Sequence, residues 1–169
     1  MLHKYEYRRR LPHYQPDAKI FFLTFCTQNR WRLPEPARQI VLDVCLRGNG
    51  VLFDLLAVVV MPDHVHIALI PSMTTDGSVP IASIMQAIKG TSSHRINREL
   101  GHQGMVWQQE TFDRALRKEE HMDEKLIYML ENPVRAGLAE NPLDYRWLWR
   151  KTEAPEKIQL PDCTAKRGN

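Results

Sequence analysis

Dense apolar runs alternate along the chain with polar segments rich in Pro and Gly, and the runs fall into two periods. Residues 19–27, KIFFLTFCT, are aromatic and β-prone and predict a first strand. Residues 35–49, EPARQIVLDVCLRGN, put Ile40, Val41, Val44 and Cys45 at helical spacing. Pro36 suits the first turn of that helix, and Gly48 and Gly50 suit its end. FDLLAVVVM (53–61) and HVHIALIP (64–71) predict two strands, and the tight Pro62-Asp63 connection makes them an antiparallel hairpin. A polar loop, 72–80, leads into a long helix. Ile81, Ile84, Met85, Ile88 and Ile96 mark its apolar face, Lys89, His94, Arg95 and Arg98 mostly its other side, and Gly101 and Gly104 its end. A fourth strand is predicted around 111–116. Residues 119–132, EEHMDEKLIYMLEN, predict a helix with its acids early, stopped by Pro133. The segment 134–151 reads as turn-rich.

The order β-α-β-β-α-β, with one further helix, predicts an α+β fold: a ferredoxin-like split βαβ antiparallel sheet with helices on one face. One domain, 19–150, is expected between a basic N-terminal arm, 1–18, and a polar C-terminal tail, 151–169.

Composition narrows the class without naming a function. The chain has 169 residues, 43% of them apolar, which is enough for one packed core. A formal charge of +3 is too small to establish a nucleic-acid partner, so the placement of the cations matters more. Cys26, Cys45 and Cys163 are far apart and odd in number. They argue against a disulfide framework or thiolate zinc site and fit a reducing cytoplasm, with Cys26 and Cys45 as small core residues. The opening MLHKYEYRRR has no apolar signal core, and the run 52–61, broken by Asp54, is too short for a membrane helix.

The candidate chemistry begins at His64 and His66. Strand alternation sends both to one face and Val65, Ile67 and Leu69 to the other. Two imidazoles side by side on a rigid strand can share a metal ion, or they can be polar residues on a half-exposed strand. Ile67-Ala68 stand where a binuclear metallohydrolase wants Asp-His, and no cupin-like glutamate follows. In the later helix Tyr128 and Asn132 are four apart on one face, while Leu126, Met129 and Leu130 can pack inward. One reading makes them a core-edge tyrosine and a helix cap. The other joins them to the histidines: two imidazoles and the Asn132 amide hold a divalent ion with open positions, and Tyr128 stands beside it. A free phenol has a pKa of about 10 and needs such help to act as a nucleophile. The set suits attack on a phosphodiester.

VVVMPDHVHIALIP, VWQQETFDRALRKEEH and YMLENPVRAGLAENPLDYRW resemble the single-tyrosine HUH transposases, in particular the IS200-like, REP-associated tyrosine transposases. RRRLPHYQP and IMQAIKGTSSHRIN are also similar to that group, so the resemblance runs in order from about Arg8 to Trp149. It implies that the fold carries an added C-terminal catalytic helix. It implies that His64, His66 and Asn132 bind Mg²⁺ or Mn²⁺ and that Tyr128 is the nucleophile. The implied reaction cleaves single-stranded DNA near a hairpin, leaving a 5′-phosphotyrosine and a 3′-hydroxyl that can rejoin strands, with a monomer favoured over a dimer. Two positions depart from the pattern: Asp63 stands where relatives often carry Asn, and DYRWLW replaces small residues after the tryptophan.

For DNA, the expected phosphate contacts are Arg8, Arg9 and Arg10 in the arm, Lys89, Arg95 and Arg98 in the long helix, and Arg114 with Arg117 and Lys118 before the tyrosine helix. Trp107, with Tyr5, Tyr7 and Tyr14, is expected to stack on unpaired bases, and Gln108 to bond a base edge. A non-catalytic hairpin-binding protein and a hydrolase of small phosphoesters are the competing functions.

Overall fold

The computed structural model describes residues 19–115 and 122–152, with the side chains of all of these except Asp113 and Arg114. The expected arm 1–18, Arg117, Lys118 and the tail beyond Thr152 lie outside the described residues, and for Arg114 only the backbone is described.

The elements in chain order are β1 (Phe21–Cys26), α1 (Glu35–Gly48), β2 (Phe53–Val60), β3 (His64–Pro71), a small hairpin of β4 (Met73–Thr74) and β5 (Gly77–Ser78), α2 (Ile81–Leu100), β6 (Phe112–Ala115), α3 (Met122–Leu130), α4 (Asn132–Arg135) and β7 (Leu148–Arg150). The main sheet has the order β6-β1-β3-β2-β7, and every neighbouring pair is antiparallel. β3 lies between β1 and β2, so the first βαβ unit is split by the histidine strand, as the element order predicts.

The two faces of the sheet are covered differently. Leu23, Phe25, Val65, Ile67 and Leu69 point to one face and are buried. There α1 and α2 lie: Phe53 meets Gly48 of α1, and Lys89 of α2 sits over Phe25. The other face carries Phe22, Thr24, His64 and His66. Toward its β2 side it is covered by α3, through the buried Leu126, Met129 and Leu130. β2 is thus buried on both faces, which is why it reads as a nearly continuous apolar run. Cys26 and Cys45 are buried free thiols, and burial pushes the Cys45 thiol up to about 12.

Three local expectations change. The loop after β3 contains a hairpin, turned at Thr75 and Asp76 and entering its second strand at Gly77 with φ 115°. The turn-rich closing segment contributes a fifth strand, β7, on the β2 edge. DYRWLW therefore packs inward: Tyr145 Oη donates to the Val60 carbonyl (2.8 Å), and Arg38 stacks on Trp147 (3.7 Å). Finally, α3 ends at Leu130, ahead of Pro133 as expected, but a second short helix follows: Pro133 falls in the first turn of α4, where its missing N–H has no helical partner to lose. Among the described residues no helix is long and apolar enough to cross a membrane.

Candidate active site

The β2–β3 connection is fixed before its histidines are. The Asp63 carbonyl accepts from Thr27 twice, from N–H (2.9 Å) and from Oγ1 (3.0 Å), and the Pro62 carbonyl accepts from Leu33 N–H (2.6 Å). This short, pinned turn starts β3 in a register that sets His66 opposite Thr24 on one side and Val59 on the other.

Strand alternation then brings the imidazoles together, with ring centroids 4.8 Å apart and planes at 83°. Each ring is held at Nδ1. His64 Nδ1 lies 2.7 Å from Asp63 Oδ1, and His66 Nδ1 lies 2.8 Å from Thr24 Oγ1. In the tautomer where Nδ1 donates both bonds, both Nε2 lone pairs remain for a ligand. Asp63 is held in turn by Arg30, whose Nη1 is 3.3 Å from Oδ2. Asn29 and Arg30 both have positive φ, 51° and 55°, a conformation that costs non-glycine residues energy and here accompanies the return of Arg30 toward Asp63. Partial burial pushes the Asp63 carboxyl up, but the His64 hydrogen bond and charge, together with Arg30, outweigh it and hold the carboxyl below its usual range.

Burial, then the charges of His64 and Arg135, push His66 down from 6.5 to about 4, so it is a neutral ring at pH 7. This predicts an acid-sensitive fold. Between about pH 6.5 and 4 the unfolded chain takes a proton at this position and the folded chain resists it, so stability is full above the upper value and falls as pH drops. The displacement corresponds to at most about 3 kcal/mol. Urea unfolding of the metal-free protein at pH 7 and pH 4.5 should show the loss, and His66→Gln should flatten it. Equal pH slopes for the two proteins would refute the assignment. Asp63 adds a slope of the same sign to both proteins, so their difference isolates His66.

α3 and the first residue of α4 complete the site on this face of the sheet. Tyr128, Met129 and Asn132 line a cavity of about 460 Å³ with Phe22, Thr24 and His66. Tyr128 is 66% exposed, so the phenol is not a core residue. Asn132 Nδ2 donates to the Met129 carbonyl (3.1 Å), which leaves Oδ1 as the acceptor on offer. Among the described residues no three His, Cys, Asp or Glu side chains form a metal-holding group, and the groups the site offers as donors are the two Nε2 atoms of the imidazoles and the Asn132 amide oxygen. Thr24, Arg30 and Arg135 are site residues that sequence reasoning missed. Pairing the first strand with the third would have found Thr24, and two helical turns from Tyr128 would have pointed to Arg135.

The expected DNA contacts mostly fall elsewhere. Trp107 does not stack on bases: it is 4% exposed, lies edge-on to Phe25 (4.8 Å), and its indole N–H donates to Ser92 Oγ (2.9 Å). A large aromatic with a buried partner for its N–H is core. Lys89 donates to the Gln109 and Glu110 carbonyls and to Thr111 Oγ1, so its three ammonium protons are used within the protein. Burial lowers its pKa accordingly. Arg95 is paired with Glu99 through Nε (2.9 Å), and Arg98 shares the same carboxylate while staying at the surface. All three belong to α2, on the sheet face opposite the histidines. Gln108 is closer to the site: it is half-buried, and its backbone N–H donates to Cys26, the register partner of His64.

A split antiparallel sheet with a histidine pair on its central strand, facing a tyrosine helix, defines the structural class. The model of the family described as "Transposase IS200 like" matches residues 23–123, and the chain belongs to that family. A Haemophilus influenzae protein assigned as a REP-associated tyrosine transposase is 24% identical over 99 residues, covering 55% of this chain and 56% of its own length. A solved REP-associated tyrosine transposase bound to a REP hairpin superposes with a TM-score of 0.55, at 22% identity over 81% of each chain, and so shares the fold. A transposase-like structure from Deinococcus radiodurans covers 72% of this chain and 94% of its own, at 22% identity and a TM-score of 0.48.

Proposed function

We propose that this chain cleaves and rejoins single-stranded DNA beside a hairpin through a covalent 5′-phosphotyrosine at Tyr128. The observation that carries this reading is the meeting of His66, Tyr128 and Asn132 in one cavity, with His64 and His66 both held at Nδ1. The hairpin enters from the structural neighbour, which is bound to one.

His64 Nε2, His66 Nε2 and Asn132 Oδ1 would hold Mg²⁺ or Mn²⁺, with manganese the better match to imidazole donors. When bound, the ion withdraws charge from a phosphate oxygen. Asp63 and Thr24 hold the two rings in the ligating tautomer, and α3 presents the Tyr128 hydroxyl to the phosphorus. The phenol oxygen bonds to phosphorus, and the bond from phosphorus to the 3′-oxygen breaks. The phenol proton leaves to solvent, and the departing 3′-oxygen takes one up as a hydroxyl. Reversal by that hydroxyl rejoins the strand without ATP, because the tyrosine ester conserves the bond. His66, Tyr128 and Asn132 of a single chain line the cavity, so a monomer supplies this set without a second copy.

Incubation with an end-labelled hairpin oligonucleotide and Mn²⁺ tests the reading. A covalent protein–DNA adduct that chelator prevents is expected. Hairpin binding indifferent to chelator, with no adduct under any metal, would make the protein a binder only. Turnover of small phosphoesters without an adduct would make it a hydrolase.

Asp63 should matter through His64. Asp63→Ala is expected to weaken Mn²⁺ binding, measured by calorimetry, by about 10- to 100-fold, as loss of a ring-orienting carboxylate does elsewhere. Unchanged affinity would mean that His64 needs no such partner.

A further inference from the structure

Tyr128 poses a mechanical problem. A nucleophile must be held in one orientation, yet this ring is 66% exposed and lacks the core packing that locks buried side chains. The structure supplies another restraint. After Leu130 the chain passes through Glu131 into the single turn of α4, which puts Arg135 seven residues beyond Tyr128 with its side chain reaching back to that residue. Arg135 Nη2 donates to the Tyr128 carbonyl at 2.6 Å. Its guanidinium carbon lies 3.9 Å from the centre of the Tyr128 ring. Nη1 stands 3.8 Å from Glu131 Oε2, a loose pairing that adds a second anchor. The guanidinium is thus tied to the backbone of the residue whose ring it covers. A planar cation on an aromatic face is attractive and directional, and a lysine does not reproduce its shape.

We propose that Arg135 is a positioning residue for Tyr128: its guanidinium plane, fixed on the Tyr128 carbonyl, holds the exposed phenol toward the cavity shared with His66 and Asn132. The role rests on Tyr128 being the nucleophile, but the restraint itself exists without DNA or metal. Pro133 is compatible with this junction because it sits in the first turn of α4, where no helical N–H is lost.

The test uses the full chain with 3-fluorotyrosine at position 128. Without DNA, the fluorine resonance is expected to be displaced from that of free fluorotyrosine, and to return to it in Arg135→Gln. At saturating hairpin DNA, Arg135→Gln is expected to slow single-turnover adduct formation by about 10- to 100-fold, the scale of a small misplacement of reacting groups. The hairpin Kd should stay within about twofold, since uniform binding is untouched. Arg135→Lys keeps the charge and a donor for the carbonyl but not the plane, and should recover little of the rate. If Arg135→Gln fails to fold, the lysine variant decides by the same two readouts. A fluorine resonance that does not move in either variant overturns the proposal. So does a rate loss that appears wholly as weaker DNA binding, which would make Arg135 a phosphate contact. If the natural sequence forms no adduct at all, the strand-transfer reading fails while the fluorine measurement still decides the role of Arg135.

Discussion

Tyr128→Phe is expected to form no covalent adduct with hairpin DNA, a loss of at least ~10⁴-fold in single-turnover cleavage, because it deletes the atom that the proposed mechanism directs at phosphorus. The rest of the site should survive the change. The ring remains, so Arg135 keeps its aromatic face. Tyr128 is largely exposed, so little packing is lost, and the stability change should stay within about 0.5 kcal/mol. Hairpin affinity should change less than about twofold, because the phenol is asked to act in the chemical step rather than in binding. Gel analysis of the adduct and equilibrium binding of the same hairpin check both halves. A persistent adduct in this variant would move the nucleophile elsewhere.

His66→Ala carries the second large effect. His66 is the histidine that lines the cavity beside Tyr128 and Asn132, and burial keeps its ring neutral at pH 7. Its removal should weaken Mn²⁺ binding beyond calorimetric detection and slow adduct formation by ~10³-fold, on the scale of losing a main electrostatic stabiliser of the transition state. The fold should persist. Thr24 Oγ1 loses its partner, a cost of about 1 kcal/mol, and solvent can replace the bond. A variant that cleaves at the natural rate, or one whose rate remains sensitive to chelator in the same way, would separate the histidine pair from catalysis.

Much of this site was legible because it rests on local periodicity. The period of two in β3 alone puts His64 and His66 on one face and Val65, Ile67 and Leu69 on the other. Four-residue spacing places Tyr128 with Asn132, and the apolar Leu126, Met129 and Leu130 show which side of α3 turns inward. What was not legible depends on long-range contacts. Trp107 looks like a stacking residue until Ser92, fifteen positions earlier on α2, is seen to satisfy its N–H. Lys89 looks like a phosphate contact until the 109–111 segment folds over it. β7 has only three residues and no alternating pattern of its own, and the exposed edge of β2 makes it a strand. Pro133 shows a limit of breaker rules: a proline that closes one helix also opens the next. Asp63, which the resemblance marks only as a departure, finds its meaning in the 2.7 Å contact to His64.

The reading of this chain as a strand transferase depends on one covalent bond. The most direct measurement traps the adduct with a hairpin oligonucleotide and Mn²⁺, trims the DNA with nuclease, and locates the residual nucleotide by peptide mass spectrometry. The account predicts a 5′-linked nucleotide on the peptide containing Tyr128, released by reversal when a free 3′-hydroxyl is supplied. A nucleotide on any other residue, or a 3′-linked one, would contradict it.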